Sequence, residues 1–406
     1  MYEPEWAAVP IGMDADRWVT RAECRKVVVA VHTLVAGQRL LDVVDLVESD
    51  PRVQVVYTRA PDVFGAGVSG FLRSIGALEI PWAQAVRERF DLAIAAAYGG
   101  VDQLHGPLVL LPHGAGYGKR ANGIGGENGP VYGLDAQRLL RDGRVLPSVL
   151  VLSHDEQRDV LAEQCPPAID AALVAGDPCY DRMVLSAKSR ERYRRALGVR
   201  RGRELVLVAS TWGRTSLVGR DLPLFARLQR ELDPKRFQVA ATIHPAVWGG
   251  HGKRQLRAWL ERPMARGLIL VEPEVDWRPA VIAADHVIGD HGSTSVYAAA
   301  IGRSVLAADS PERDLDPGSP QALLADKAPR WKPGQRAEPQ LRRAAKRLDG
   351  SLRAAVAARL TSRPGQSHRV LREKLYQLLR LPIPGKHRRP DPIPAPDLGI
   401  GGRRHA

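Results

Sequence analysis

Short apolar runs alternate with longer segments whose apolar residues recur every three or four positions, and this alternation fills most of the chain. The runs Val27 to Val31, Val53 to Tyr57, Leu92 to Ala97, Leu108 to Leu111, Val149 to Leu152 and Ala171 to Ala175 have the length and composition of buried strands. Helical patterns lie between them at 37–48, 64–75, 82–89 and 155–163. A charged helix at 186–197 and the polar break at 199–204 then interrupt the series, which restarts. Leu205 to Ala209, Phe237 to Thr242, Leu268 to Val271, Val287–Ile288 and Ser304 to Ala308 form a second set of strands, with helices at 222–232, 253–261 and 296–301. Alternating strand and helix predict an α/β fold with parallel sheets. A restart near residue 200 predicts two Rossmann-like domains facing a central cleft. The expected organisation is a lead-in over 1–24, a first domain over 25–180 and a second over 200–360, the boundary falling between 176 and 202. Helical patterns follow at 341–360 and 366–381, and a Pro-, Gly- and Arg-rich tail at 382–406 is expected to be disordered.

The loops that follow these strands carry the candidate chemistry. Gly289-Asp-His-Gly-Ser-Thr-Ser295 separates a strand from a helix, so Ser293, Thr294 and Ser295 with Gly292 are candidates for holding a phosphate at a helix N-terminus. The competing structural reading is that Ser293 or Thr294 caps the helix. Asp290 and His291 stand beside them, Asp290 suited to orienting a histidine or accepting from hydroxyls. Ser210-Thr-Trp-Gly-Arg-Thr-Ser216 offers Ser210, Thr211 and the planar guanidinium of Arg214 to a phosphate, although it lacks the GxxxxGK[ST] spacing of a P-loop. His244 follows a strand and precedes Pro245; it either donates to a diphosphate oxygen or ribose hydroxyl, or fastens its own turn. Trp248 is a base-stacking candidate or, as is more usual, core. In the first domain His113 ends a strand and opens the glycine-rich run to Lys119, where a near-neutral pKa suits proton transfer. Gly114, Tyr117, Lys119 and the strand-end His32 are the further candidates on that side, assigned to the acceptor.

Composition narrows the classes. The chain of 406 residues has 59 basic and 45 acidic side chains, a formal charge of +14. That excess suits anionic small substrates or a peripheral contact with a membrane. Nucleic acid is a poor partner, because the arginines are spread over many helices and no KH, RRM or cold-shock pattern is visible. Cys24, Cys165 and Cys179 have no metal-like spacing, and neither a metal nor a cofactor is expected. With no run of about twenty apolar residues and no secretory pattern, the expectation is a cytoplasmic protein, at most touching the inner face of the membrane. The Gly65-Ala-Gly-Val-Ser-Gly70 run is not preceded by a strand in the dinucleotide-binding arrangement, and no serine sits in a GxSxG elbow.

The segments LPHGAGY, GDPCYDR, STWG, IHPAVW and DHVIGDHGSTSVYAAAIG together resemble the CDP-glycerol glycerophosphotransferase family, in its divergent actinobacterial branch, over residues 25–325. More distantly, the chain is similar to non-hydrolysing UDP-N-acetylglucosamine 2-epimerases. The resemblance implies a GT-B fold whose last helix returns to the first domain. It also implies transfer of a polyol-phosphate or glycosyl group from a CDP- or UDP-linked donor to an acceptor hydroxyl, in cell-envelope synthesis. Carried over by motif, His113 is the general base, His244 the histidine near the donor phosphates, and Asp290 with Ser293 to Ser295 the donor-binding run. GDHGSTS stands where many members have a D-Y-S-S-like run. A nucleotide- or glycan-binding protein without turnover, or an epimerase-like enzyme, are the alternatives.

Overall fold

The computed structural model describes residues 6–12, 15–121, 129–309, 314–347, 350–386 and 389–398. These divide into two compact units: Met1–Tyr117, Gly123–Cys179 and Thr361–Pro390 form the first, and Gly118–Asn122, Tyr180–Leu360 and Asp391–Ala406 the second.

The first unit is built on a parallel sheet of seven strands: β1 (Arg25–Val31), β2 (Val53–Arg59), β3 (Glu79–Ile80), β4 (Leu92–Ala95), β5 (Leu108–Leu110), β8 (Val149–Leu152) and β9 (Ala172–Val174). Their order is β3-β2-β1-β4-β5-β8-β9, while β6 (Leu140–Arg141) and β7 (Arg144–Val145) form a separate antiparallel pair. The run of valines in β1 shows why these strands look continuously apolar. Val27, Val29 and Val31 enter one core and Val28 and Ala30 the core on the opposite face, as the period of two requires. Thr33 ends β1 and caps the helix Leu34–Glu48, its Oγ1 accepting from the Ala36 N–H at 3.1 Å. Leu40, Val43, Val44 and Val47 of that helix pack with Leu371, Leu375 and Tyr376 of the C-terminal helix Ser367–Leu379. Each buried side chain of this kind contributes about 1.5–3 kcal/mol, so the last helix is an integral part of the first unit.

The second unit repeats the plan with β10 (Glu204–Ser210), β11 (Phe237–Ile243), β12 (Ile269–Val271), β13 (His286–Gly289) and β14 (Ser304–Ala307), all parallel, in the order β12-β11-β10-β13-β14. Both sheets therefore start in the middle, wind outward one way and then reverse. The reversal lies between β1 and β4 in one unit and between β10 and β13 in the other, and the crevice at such a switch point is where open α/β sheets bind ligands.

Two expectations need correction. The pattern at 341–360 is not one helix but two, Ala337–Lys346 and Ser351–Leu360. The tail expected at 382–406 is not structureless over its described residues 382–386 and 389–398: the Pro382 carbonyl accepts from Arg52 Nη2 at 2.9 Å, Ile393 is buried, its N–H donates to Ser186 Oγ at 2.9 Å, and its carbonyl accepts from Tyr193 Oη at 2.5 Å. A further backbone group, the Asp391 carbonyl, accepts from Arg182 Nε at 3.1 Å, and so short a contact leaves no periodicity to see. The remainder of the expected tail beyond residue 398, and residues 387 and 388, lie outside the described residues.

Candidate functional site in the second unit

The C-terminal ends of β10, β11 and β13 bring three of the sequence-predicted segments together at the second switch point. β10 runs into Ser210 and Thr211, β11 into His244, and β13 into Asp290 and His291. The loops are cross-tied. Buried Asp290 accepts from the Thr211 N–H at 2.9 Å, from Thr211 Oγ1 at 2.8 Å and from the Leu217 N–H at 3.0 Å. Ser210 Oγ accepts from the Val218 N–H at 3.0 Å and donates to the Thr211 carbonyl at 3.1 Å. The His244 N–H donates to the Ser210 carbonyl at 3.0 Å, which joins the β11 end to the same loop. Asp290, Ser210 and Thr211 thus act as the frame of the site, with the polar atoms of all three engaged in it.

What this frame presents is a different set. Arg214 is exposed at the turn of the 211–217 loop, next to the exposed indole of Trp212. The helix Ser293–Ala300 starts at Ser293, with Gly292 in the cap position. Ser293, Thr294 and Ser295 are therefore its first three helical residues, so the capping alternative does not hold for Ser293 or Thr294. Gly292 is required by close approach: a β-carbon there would lie 2.7 Å from Thr211 Cγ2. Ser293 and Thr294 are half-buried, whereas Ser295 points inward, its Oγ buried and without a partner among the described residues. His244 Nδ1 accepts from the Ala246 N–H at 3.1 Å, capping the helix Pro245–His251. In the neutral ring the proton is then on Nε2, which makes this histidine a donor through Nε2. The turn-fastening and the ligand-donating readings of His244 are thus compatible, one for each nitrogen. Trp248 is core, with Nε1 donating to the Ile243 carbonyl at 3.0 Å.

His291 faces inward rather than outward from this frame. It lines a cavity of about 10 Å³, the room of a single water, together with Gln321, Leu324 and Ala325. Burial lowers its pKa, with Asp290 opposing that shift and Lys119 reinforcing it, and Nδ1 is buried without a partner among the described residues. Lys119 belongs here too, although the sequence had placed it on the acceptor side of the first domain. The chain crosses at Gly118, and Lys119 pairs with Leu315 in an antiparallel bridge flanked by Arg120 N–H to the Asp314 carbonyl at 3.0 Å. Surrounding protein lowers the Lys119 pKa, while Asp290 and Asp314 raise it. No local pattern reveals this allegiance, because the partner strand is some two hundred residues away. The Leu217 N–H was missed for a similar reason: a backbone donor leaves no mark on side-chain composition.

The first-unit candidates separate. His113 is exposed after β5 and Gly114 is half-buried. Tyr117 is a core residue, its hydroxyl 3.3 Å from the Val151 carbonyl and its pKa raised chiefly by burial. It does not present a polar group to an acceptor. His32 is fully buried at the first switch point, with Nε2 2.8 Å from the Gly99 carbonyl, and burial lowers its pKa. It ties β1 to the loop after β4, as Asp290 ties β13 to the loop after β10.

Two units, each a helix-flanked parallel sheet whose first five strands run three-two-one-four-five, with β8 and β9 added in the first unit, define a GT-B-like fold. Solved structures with this architecture include the wall teichoic acid polymerase TagF, with a TM-score of 0.56 at 12% identity over 88% of this chain and 89% of that one. A Staphylococcus aureus MnaA–UDP structure matches with a TM-score of 0.53 at 13% identity over 88% and 97%. The Neisseria meningitidis UDP-GlcNAc 2-epimerase bound to UDP-GlcNAc matches with a TM-score of 0.51 at 13% identity over 87% and 100%. Neither a protein-family model nor a curated protein sequence matches the chain. Among the described residues, no helix is long and apolar enough to cross a membrane.

Proposed function

We propose that the second unit binds the diphosphate of a CDP- or UDP-linked donor, and that the enzyme transfers a polyol-phosphate or glycosyl group from it to an acceptor hydroxyl. The observation that carries this reading is the start of the Ser293–Ala300 helix at the β10/β13 switch point, with His244, whose Nδ1 accepts from the Ala246 N–H, and an exposed Arg214 on the neighbouring strand ends. Helix N–H groups, an imidazole N–H and a guanidinium are all donors, and an anion is their common ligand. The structural likeness to TagF and to the two UDP-associated proteins supports the choice of a nucleotide diphosphate among anions.

In this reading the acceptor oxygen forms a bond to the transferred group as the bond from that group to the nucleotide's terminal phosphate oxygen breaks. The acceptor proton passes to a general base, the role that the motif resemblance gives to His113. Charge that develops on the departing nucleotide is stabilised by the donors of the second unit, the usual source of catalysis in such transfers. Asp290, Ser210 and Thr211 position these groups and do not themselves react. Titration calorimetry with CDP and UDP tests the assignment. Wild type binds at least one of them, and His244→Ala weakens that nucleotide by about 10- to 150-fold, the equivalent of a hydrogen bond to a charged group at roughly 1.5–3 kcal/mol. Failure of both nucleotides to bind, or an unchanged affinity in the variant with its helix content intact, overturns the donor assignment.

A further inference from the structure

At the other end of the helix Ser293–Ala300, the second unit contains a larger cavity that the proposed transfer does not use. It holds about 470 Å³, within the usual size of a small-molecule site. Four of its lining side chains are cationic, Arg303, Lys327, Arg347 and Arg353, and none of the described lining residues is acidic. Buried Val305 and half-buried Leu352 contribute apolar surface.

The positive charge is only partly compensated. Lys327 pairs with Asp326 at 2.9 Å, both exposed. Arg303 has a buried Nε with no partner among the described residues, and its Nη1 donates only to the Ala284 carbonyl at 3.3 Å. Asp285, which favours the charge on Arg303, is already held by Arg190 at 2.5 Å and Arg194 at 2.9 Å. Burial, Arg190 and Arg353 all act against that charge. Arg353 is brought close because residue 302 is glycine, with φ +80°; a β-carbon there would sit 3.2 Å from Arg353 Cδ. Several cations beside an apolar wall, one of them half-buried with an orphaned N–H, form an environment that an anion with an apolar substituent would complete.

We infer that this cavity is a second ligand site, for a phosphate or diphosphate ester bearing an apolar group, with the phosphate among Arg303, Arg347 and Arg353 and the apolar group against Val305 and Leu352. Such an ester is either a free amphiphile or the headgroup end of an anionic lipid, and the chemistry recognised is the same.

The full chain is titrated with monomeric decyl phosphate, with inorganic phosphate, and with phosphatidylcholine vesicles containing or lacking phosphatidic acid. The variants are Arg347→Gln/Arg353→Gln, both exposed positions, and Arg200→Gln/Arg201→Gln as an exposed control of equal charge change. Decyl phosphate, phosphatidic acid vesicles or both bind to wild type and to the control, decyl phosphate more tightly than inorganic phosphate. Binding falls by at least about tenfold in Arg347→Gln/Arg353→Gln, as loss of charge-assisted hydrogen bonds predicts. Decyl phosphate binding without vesicle binding identifies a free ester as the source, and the converse identifies a lipid. Absence of binding to both, equal loss in the two variants, or decyl phosphate that binds but no tighter than inorganic phosphate overturns the inference. CDP and UDP affinities stay at the wild-type value in Arg347→Gln/Arg353→Gln, which separates this site from the proposed donor site.

Discussion

Thr211 and Asp290 show how single residues of one motif take unlike parts. Both were read as donor-binding or catalytic candidates, because hydroxyls and a carboxylate after parallel strands are what a phosphate or sugar site uses. The structure spends them on each other: Asp290 holds the N–H and Oγ1 of Thr211. Removing Oγ1 in Thr211→Val deletes one hydrogen bond to a buried charge while the backbone bond remains. Unfolding in urea is expected to show a loss of roughly 1.5–3 kcal/mol, with any change in nucleotide affinity following from a loosened frame. Stability equal to wild type would mean that Asp290 is held by its two backbone donors alone. What the sequence could not supply was orientation. Ser210, Thr211 and Arg214 have similar standing in a one-dimensional reading. Only the pairing of β10 with β13 puts Asp290 next to Thr211 and leaves Arg214 outside.

At the scale of the element, strands were the most visible parts because their runs are dense and bounded by Gly, Pro or charge. Helix limits were less so. The segment at 64–75 contains a helix only over Val68–Ser74, since Gly67 turns the chain in a left-handed conformation just before it. The helix Ser293–Ala300 is the element on which the proposed function depends, and its first residues allow the two original readings to be separated. With Gly292 in the cap position, Ser293→Ala/Thr294→Ala removes no N-cap side chain, so the penalty of about 0.5–2 kcal/mol for a lost cap is not expected. Melting temperature therefore stays near that of wild type, whereas nucleotide affinity falls. The fall is smaller than two side-chain contacts would give, because the helix N–H groups still face the anion. A variant that melts early but binds normally would restore the capping view.

At the scale of the molecule, the return of the chain to the first unit includes, beside its apolar packing, a contact whose contribution to stability depends on pH. Asp50, after the helix Leu34–Glu48, is buried and accepts from Arg52 Nε at 3.0 Å and Nη2 at 2.7 Å, and from the hydroxyl of Tyr376 in the last helix at 2.9 Å. The Arg52 guanidinium, first among the causes, outweighs burial and holds the Asp50 carboxyl far below the usual range; Tyr376 adds to the same effect. Tyr376 is itself pushed up to about 12, chiefly by burial and then by Asp50, and so remains a donor. A carboxylate with a lowered native pKa stabilises the fold fully wherever the unfolded group, at about 3.9, is also ionised. As pH falls below that value the unfolded chain takes up a proton before the native one does, and the stabilisation drains away until the native carboxyl titrates as well. The measurable consequence is a difference in melting temperature between wild type and Asp50→Asn that is constant from neutral pH down to about 5 and narrows steadily below about 4. A difference that stays constant, or widens, through that acid range would show that the carboxylate charge is not what fastens the Ser367–Leu379 helix to the first unit. The apolar face of Leu371, Leu375 and Leu379 would then hold the helix by itself.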